Sequence, residues 1–277
     1  MTTPDRPGTD AAWICQTCGV QHERAARPPN GCHICLDERQ YVLASGQSWT
    51  TQAELARAHQ LVIDPLEPGV WSIQIEPSFA IGQRAFLIQT TEGNLLWDCV
   101  SLITPAAVHR IRELGGIQAI AVSHPHYYSA MADWSEAFGG APVWLHEADR
   151  AWIGRKPDRL RYWEGARHEL FGGLSLVHSG GHFDGFQVAH WSGGAEGRGV
   201  LFPGDQPQVC LDGKWVTFMY SYPNWMPFGP TLIRQILSSL EPLAFDRLYG
   251  PFGRHLLTGA KDVITRSASR YLSAIEA

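Results

Sequence analysis

The stretch Ser123-His124-Pro125-His126-Tyr127-Tyr128-Ser129, read with Gly180-Gly181-His182 and Gly204-Asp205, decides the fold. The apolar run 117–122 that precedes it reads as a buried strand. In extended backbone, residues two apart point to the same side. The imidazoles of His124 and His126 are therefore expected to converge just past the strand end. His182 and Asp205 each close an apolar stretch of their own. Three neutral imidazoles and one carboxylate, delivered from separate strand ends, suit a zinc-like or iron-like ion. An isolated His-x-His would read as two ordinary loop histidines. The later histidine and aspartate, each behind a glycine, favour a metal site.

A second signal lies near the N-terminus. Cys15-Gln16-Thr17-Cys18 and Cys32-His33-Ile34-Cys35 are two Cys-x-x-Cys knuckles. Four thiolates close a tetrahedral structural site with no open position. Gly19 permits the tight turn beneath the sulfurs. So short a segment cannot build its own core, so a metal must hold it. Zinc suits the spacing, with an iron site or a pair of disulfides as alternatives. His33 adjoins a cysteine and is a further ligand candidate, although four cysteines suffice.

The length of 277 residues supports one sizeable domain and a small appendage. Hydrophobic residues make up 44% and charged residues 18%, the balance of a globular enzyme-sized chain rather than a disordered one. A net charge of −5, with only Arg24, Arg27 and Arg39 near the knuckles, gives no nucleic-acid footprint. No apolar run reaches the roughly 18 residues of a membrane span, and the first ten residues lack a signal pattern. Thiolate knuckles without a signal peptide imply the reducing cytoplasm. Cys99 and Cys210 stand in apolar contexts and are expected in the core.

Three regions are expected: a tail and ribbon over 1–45, a helix and linker over 46–69, and the main domain over 70–277. Residues 1–12 read as a flexible tail. Thr51 and Glu54 form a capping-box pattern before a short helix. Thr104-Pro105 caps a helix that Gly115-Gly116 ends. Strands are expected over 71–75, 117–122, 143–146 and 245–249, and helices over 129–138, 230–240 and 260–275.

These pieces resemble the metallo-β-lactamase-fold superfamily, in order through residues 70–277. The likeness extends to an uncharacterised branch that joins a small zinc ribbon to this domain and carries His-Pro-His-Tyr-Tyr. Phe86-Leu87-Ile88-Gln89-Thr90 and Gly93-Asn94-Leu95-Leu96-Trp97-Asp98 look like its opening hairpin, and the resemblance makes Asp98 a structural, loop-holding carboxylate. His124-Pro125-His126-Tyr127-Tyr128-Ser129 lies where the family carries His-x-His-x-Asp-His. Ser179-Gly180-Gly181-His182 and Leu201-Phe202-Pro203-Gly204-Asp205 match its next two motifs. The fold implied is an α/β, four-layer αββα sandwich with metal at one edge and a small N-terminal four-cysteine zinc ribbon. The family's second metal takes an Asp, a His, a last His and a bridging Asp. Here the first three of those places hold Tyr128, Ser129 and, in the turn Gly250-Pro251-Phe252-Gly253, Phe252. Neither a phenol nor a hydroxyl ionises at neutral pH, so one cleft ion, Zn or Fe, is expected on His124, His126, His182 and Asp205. His255, three residues past that turn, is expected to be a satisfied surface histidine, with reach into the cavity as the alternative.

Asp205 is expected to bind the ion or orient water, and Tyr128 to face the cavity as a hydrogen-bond donor, with simple packing as the alternative for either tyrosine of the pair. Eleven tryptophans exceed what a core needs, and Trp134, Trp163 and Trp225 fall in expected loops. Tyr220, Tyr222 and Trp225 are expected to wall an apolar substrate pocket. That segment could equally be a packed loop or the contact of a homodimer. The activity implied is a mononuclear zinc-dependent hydrolase of a small ester, thioester, lactone or amide. The rivals are a single-iron oxidoreductase on His124, His182 and Asp205, resembling persulfide dioxygenases, and a metal-stabilised module without catalysis. No nucleic acid and no membrane is expected as a partner.

Overall fold

In a computed structural model that describes residues 10–276, two β-sheets face each other and helices cover their outer sides. The first sheet has seven strands, in the order Leu160–Trp163, Val143–His146, Ala119–Ala121, Gly93–Trp97, Ala85–Thr90, Val70–Glu76, Gln60–Glu67. The second has six: Arg167–Glu169, Leu174–His178, Gln187–Trp191, Val200–Phe202, Arg247–Tyr249, His255–Leu256. Strand alternation builds the layers. Phe86 and Ile88 point inward and meet Leu176, Ala189 and Phe202 of the opposing sheet. Ala85 and Leu87 point outward against Ile111 and Trp134 of the helices Pro105–Glu113 and Met131–Ala137. On the far side, Val188, Leu201 and Leu248 pack under Ile233, Ile236 and Ile264 of Pro230–Leu240 and Ala260–Ile275. Both faces of each central strand are buried, which is why these strands read as apolar runs. This is the αββα sandwich expected from the motifs.

The predicted caps are present. Thr51 accepts from Glu54 N and Glu54 reaches back to Thr51, starting the helix Gln52–Ala58. Thr104 accepts from Ala107 N, with Pro105 in the first turn of its helix. Among the described residues, no helix is long and apolar enough to cross a membrane.

The N-terminal quarter departs from the expected partition. Residues 1–9 of the expected tail lie outside the described residues, and Ala11 already begins a strand, Ala11–Cys15, paired with Gln21–Ala25 and Trp49–Thr50. The expected linker is instead the edge strand Gln60–Glu67, in register with Val70–Glu76 from Gln60 opposite Glu76 to Glu67 opposite Val70. Pro65 and Pro68 suggest a loop, but an edge strand tolerates proline because one of its rims has no partner. The sandwich thus begins at residue 60 rather than 70.

The ribbon is also no loose appendage. Its cysteines share one buried cluster with Leu87, Leu96, Ile120 and Trp134 of the main domain. Ser101 Oγ donates to Gly19 O at 2.7 Å, and Gln21 N donates to Ser129 O at 3.0 Å. Gly19 has φ +81°, and a Cβ there would stand 2.4 Å from Ser101 Oγ, so both the turn and its docking require glycine.

Candidate metal centre

The cleft lies where three strands end. Ala119–Ala121 leads to His124 and His126, Leu174–His178 to His182, and Val200–Phe202 to Asp205. The convergence of the histidine pair has a different cause from the one expected. His124 is extended, but Pro125–Tyr127 forms a 3₁₀ turn. Three residues per turn bring His124 and Tyr127 onto one side. Tyr127, not Tyr128, therefore reaches the centre and donates its phenol to Asp205 Oδ1. The Tyr128 ring is buried away from the cleft, with its phenol 3.4 Å from Asp149 O. The role expected for Tyr128 is corrected accordingly: strand alternation stops at Pro125.

Asp98 holds the strand end. Its Oδ1 accepts from Ser123 N at 2.7 Å, and burial pushes its carboxyl up to about 8. Sequence reasoning missed the residues that hold His182. Gln206, fully buried, accepts from His182 N at 2.9 Å and donates to Gly180 O. Gly181, at φ +98°, leaves no room for a side chain, since a Cβ would stand 2.8 Å from the Gln206 amide. From the ribbon side, Arg39 Nη1 donates to His182 O at 3.0 Å, and its guanidinium lies 3.9 Å over the Phe183 ring. Gln206 directly follows the Gly-Asp motif, a placement that could have flagged it. Nothing local marks Arg39.

The donor atoms fit a metal. Ligands about 2.0–2.1 Å from a tetrahedral ion stand about 3.4 Å apart. His182 Nε2 is 3.1 Å from His126 Nδ1, His124 Nε2 is 3.3 Å from Asp205 Oδ2, and His182 Nε2 is 4.0 Å from that same oxygen. All four residues are buried, and His124 Nε2 has no hydrogen-bond partner. Burial among Phe183 and Phe186 keeps the imidazoles neutral: His182 falls to about 3, and His126 and His124 are also lowered. For Asp205, burial raises the carboxyl, but His124, His182 and the Tyr127 phenol outweigh it and hold it below its usual range. Neutral nitrogens beside an ionised carboxylate are what a divalent cation needs.

Three of the places that the resemblance gives to a second ion's ligands hold none of them. Ser129 Oγ accepts from Gln83 Nε2 at 2.9 Å, at a positive φ of 41°. Phe252 lines the cleft with an apolar ring. His255 is not the satisfied surface residue expected. It is half-buried against Tyr249, its Nδ1 is enclosed and unpartnered, and burial lowers it to about 4. It stands outside the histidine–aspartate cluster.

A cavity of about 270 Å³ opens on His126, His182 and Asp205. Of the three aromatics expected to wall it, only Tyr222 does, donating to Asp205 O at 2.8 Å. Tyr220 turns away to Glu38 Oε1 at 2.6 Å, and Trp225 is 85% exposed. A dense run of aromatics cannot reveal which face of its short hairpin looks inward. Trp134 and Trp163 are buried on a helix and a strand and bond Val100 O and Gln187 Oε1. Cys99 is buried as expected, whereas Cys210 is only half-buried.

The four knuckle cysteines form the second cluster. Thiolates about 2.3 Å from a tetrahedral ion stand about 3.8 Å apart; Cys15–Cys35 and Cys18–Cys32 are 3.5 and 3.6 Å. Gln47 Nε2 and Thr17 N donate to Cys15 Sγ at 2.9 and 3.4 Å, the support an anionic sulfur takes. The Cys15 thiol is lowered to about 7, first by the Cys18 thiol. His33 turns away, its Nε2 lying 3.0 Å from Trp152 O.

Fold and site together define a metallo-β-lactamase-fold protein with one histidine–aspartate cluster and one four-cysteine cluster that could hold metals. The structure is similar to VMB-1, at 13% identity and TM-score 0.58 over 78% of this chain and 98% of that one. It is also similar to the DIM-1 metallo-β-lactamase, at 15% identity and TM-score 0.55 over 75% and 98%. A Cronobacter sakazakii metallo-β-lactamase aligns at 18% identity and TM-score 0.51 over 80% and 96%. Identities this low speak for the fold alone. No protein-family model matches the chain. The chain is 45% identical over 265 residues to the uncharacterized protein YmaE of Bacillus subtilis (strain 168), covering 95% of this chain and 96% of that one, and it belongs to the same family.

The exchange of roles between the tyrosines is measurable. Tyr127→Phe removes the donor to a buried carboxylate and is expected to lower unfolding free energy by about 1.5–3 kcal/mol. Tyr128→Phe loses only a long contact to a carbonyl and is expected to cost under about 1 kcal/mol. Urea unfolding of the two proteins checks the ordering; equal losses would return Tyr128 to an equal footing.

Proposed function

We propose that the protein is a mononuclear zinc-dependent hydrolase of a small ester, thioester, lactone or amide, with a second, structural zinc on Cys15, Cys18, Cys32 and Cys35. The observation that carries this reading is the His124, His126, His182 and Asp205 donor set, three of whose members, His126, His182 and Asp205, line a cavity, with Phe252 where a further ligand would stand. Zinc held there supplies a Lewis acid for a carbonyl and acidifies water to a pKa of about 7. The chain's own groups do the rest. Burial holds the imidazoles neutral at pH 7. Tyr127 and Tyr222 fix Asp205 from its side chain and its backbone. Ile81 and Phe252 present apolar surface to the substrate and keep bulk water away.

Elemental analysis of protein purified without added metal, followed by hydrolysis of aryl esters, thioesters, lactones and amides, tests the proposal. Two zincs per chain and turnover that chelation abolishes are expected. One zinc and one iron would instead favour the single-iron oxidoreductase, and one zinc alone the non-catalytic module.

A further inference from the structure

Past Asp205 the chain forms a hairpin, Gln208–Val209 paired with Val216–Thr217, that lies against the last helix, Ala260–Ile275. Val216 N donates to Ser267 Oγ at 3.0 Å and ties the two together. Beside this joint opens a second cavity, of about 620 Å³. Gln208 and Tyr222 line both this cavity and the metal cavity. Its other walls include Arg254, Arg270, Trp215 and Cys210. Two guanidinium groups thus share one space in a chain of net charge −5. Arg254 Nε donates to Val209 O at 2.8 Å, while its Nη groups have no partner among the described residues and are not enclosed. Arg270 is exposed and lies 3.7 Å over the Trp215 ring; Arg266, one turn earlier, lies 4.9 Å from the same ring. The one carboxylate in the lining, Asp212, accepts from Lys214 N at 3.0 Å and pairs with neither arginine. Stacking on Trp215 holds the guanidinium planes in place. Like charges one turn apart on a helix nevertheless repel, and no acidic side chain offsets them here. Arg254 brings a further positive charge to the cavity that Arg270 lines.

We infer that this cavity binds a small organic anion, a carboxylate or phosphate monoester with an apolar body, held by Arg254 and Arg270. None of the four cleft donors lines it, so the site stands apart from the hydrolase reading. The charge of the ligand follows from the free guanidinium groups. Each donates from a rigid fork that matches the paired oxygens of a carboxylate or phosphate, and unpaired positive charge around a concave surface concentrates anions there. The apolar body follows from the rest of the wall. Val209, Leu211 and the rings of Trp215 and Tyr222 line the same space, and a bare inorganic ion would leave most of it empty.

Cys210 provides the test, because its half-buried thiol lines the cavity. Full-length, zinc-loaded protein is alkylated with iodoacetate or with iodoacetamide, and the rate at Cys210 is followed by mass spectrometry of its peptide. The same thiolate attacks both reagents, so the ratio of the two rates cancels its ionisation and reads the charge of the reagent. The ratio of anion to amide is expected to exceed that of mercaptoethanol by about fivefold or more. In the double variant Arg254→Gln, Arg270→Gln it is expected to fall to the mercaptoethanol value with metal content unchanged. Benzoate or phenyl phosphate is expected to slow the reaction of Cys210 with iodoacetamide at concentrations where benzamide does not, and the double variant to lose that protection. A ratio equal to that of mercaptoethanol in the unmodified protein would overturn the site. So would protection by benzamide equal to that by the anions, or protection by the anions that survives in the double variant. Should the double variant fail to fold, Arg270→Gln, at an exposed helix position, takes its place and is expected to lower the ratio at least about twofold. If neither reagent modifies Cys210, calorimetric titration of the unmodified and variant proteins with benzoate decides: weaker binding to the variant upholds the site, and equal binding overturns it.

Discussion

Cys32→Ala is expected to lose more than the ribbon. Structural zinc contributes on the order of 10–16 kcal/mol to the folding of small four-ligand sites, while a whole domain is stable by only about 5–15 kcal/mol. In a detached ribbon that loss would stay local, with cleavage confined to the first 45 residues. Here the sulfurs lie in one core cluster with Leu87, Ile120, Tyr128 and Trp134. The ribbon's contacts extend to the helix Met131–Ala137, to Arg155 and to the cleft. Gln21 Nε2 donates to Asp133 Oδ2 at 2.7 Å, Arg155 Nη1 donates to Gln21 Oε1 at 2.6 Å, and Arg39 supports the carbonyl of His182. Cys32→Ala protein is therefore expected to lose both metals, to unfold at least 15 °C lower and to be cut by protease throughout the chain. Cys210→Ala, a half-buried cysteine outside both clusters, is the control and should change little. A Cys32→Ala protein that keeps its cleft metal and melts within a few degrees of the parent would show the ribbon to be the independent appendage that its sequence suggests.

That suggestion illustrates what a sequence carries and what it does not. The clusters are legible because their chemistry is local: Cys-x-x-Cys twice, His-x-His, and a histidine and an aspartate behind glycines. Helices are legible where caps and amphipathic spacing agree, as at Thr51, Thr104 and Pro230. The failures share a physical origin. Tyr127 and Tyr128 are chemically alike, and only the 3₁₀ turn at Pro125 decides which one meets Asp205. Proline after His124 is a hint that extended backbone does not continue. Gln60–Glu67 reads as a linker by its proline and glycine neighbours, although pairing with Val70–Glu76 overrides that local preference. Arg39 and Gln206 carry no motif. They matter through partners more than twenty residues away, such as Arg39 with His182 and Gln206 with Gly180. Contacts of that kind leave no periodicity to read.

His182→Ala is expected to empty the cleft and leave the ribbon loaded, so that zinc falls from two per chain to one. The imidazole is one of four donors, and its Nε2 lies 3.1 Å from His126 Nδ1 and 4.0 Å from Asp205 Oδ2. Its loss leaves three donors on one side of the site. A lost supporting contact around a metal typically costs 10- to 100-fold in affinity or activity. A lost ligand is expected to exceed that, lowering zinc affinity by more than about 100-fold and hydrolysis to background. Folding should survive. The buried imidazole is neutral at pH 7, because burial lowers it to about 3, so its removal strands no charge. What it leaves is a small void bordered by Phe183 and Phe186. Gln206→Ala provides the graded counterpart. It keeps the imidazole but unties His182 N and Gly180 O, and its loss should fall within the 10- to 100-fold range. Zinc titration with a chromophoric chelator measures both variants on one scale. If Gln206→Ala matched His182→Ala, the glycine turn rather than the ligand would set affinity. If His182→Ala kept two zincs, the cleft ion would be held by His124, His126 and Asp205 alone, and the three-histidine site would be withdrawn.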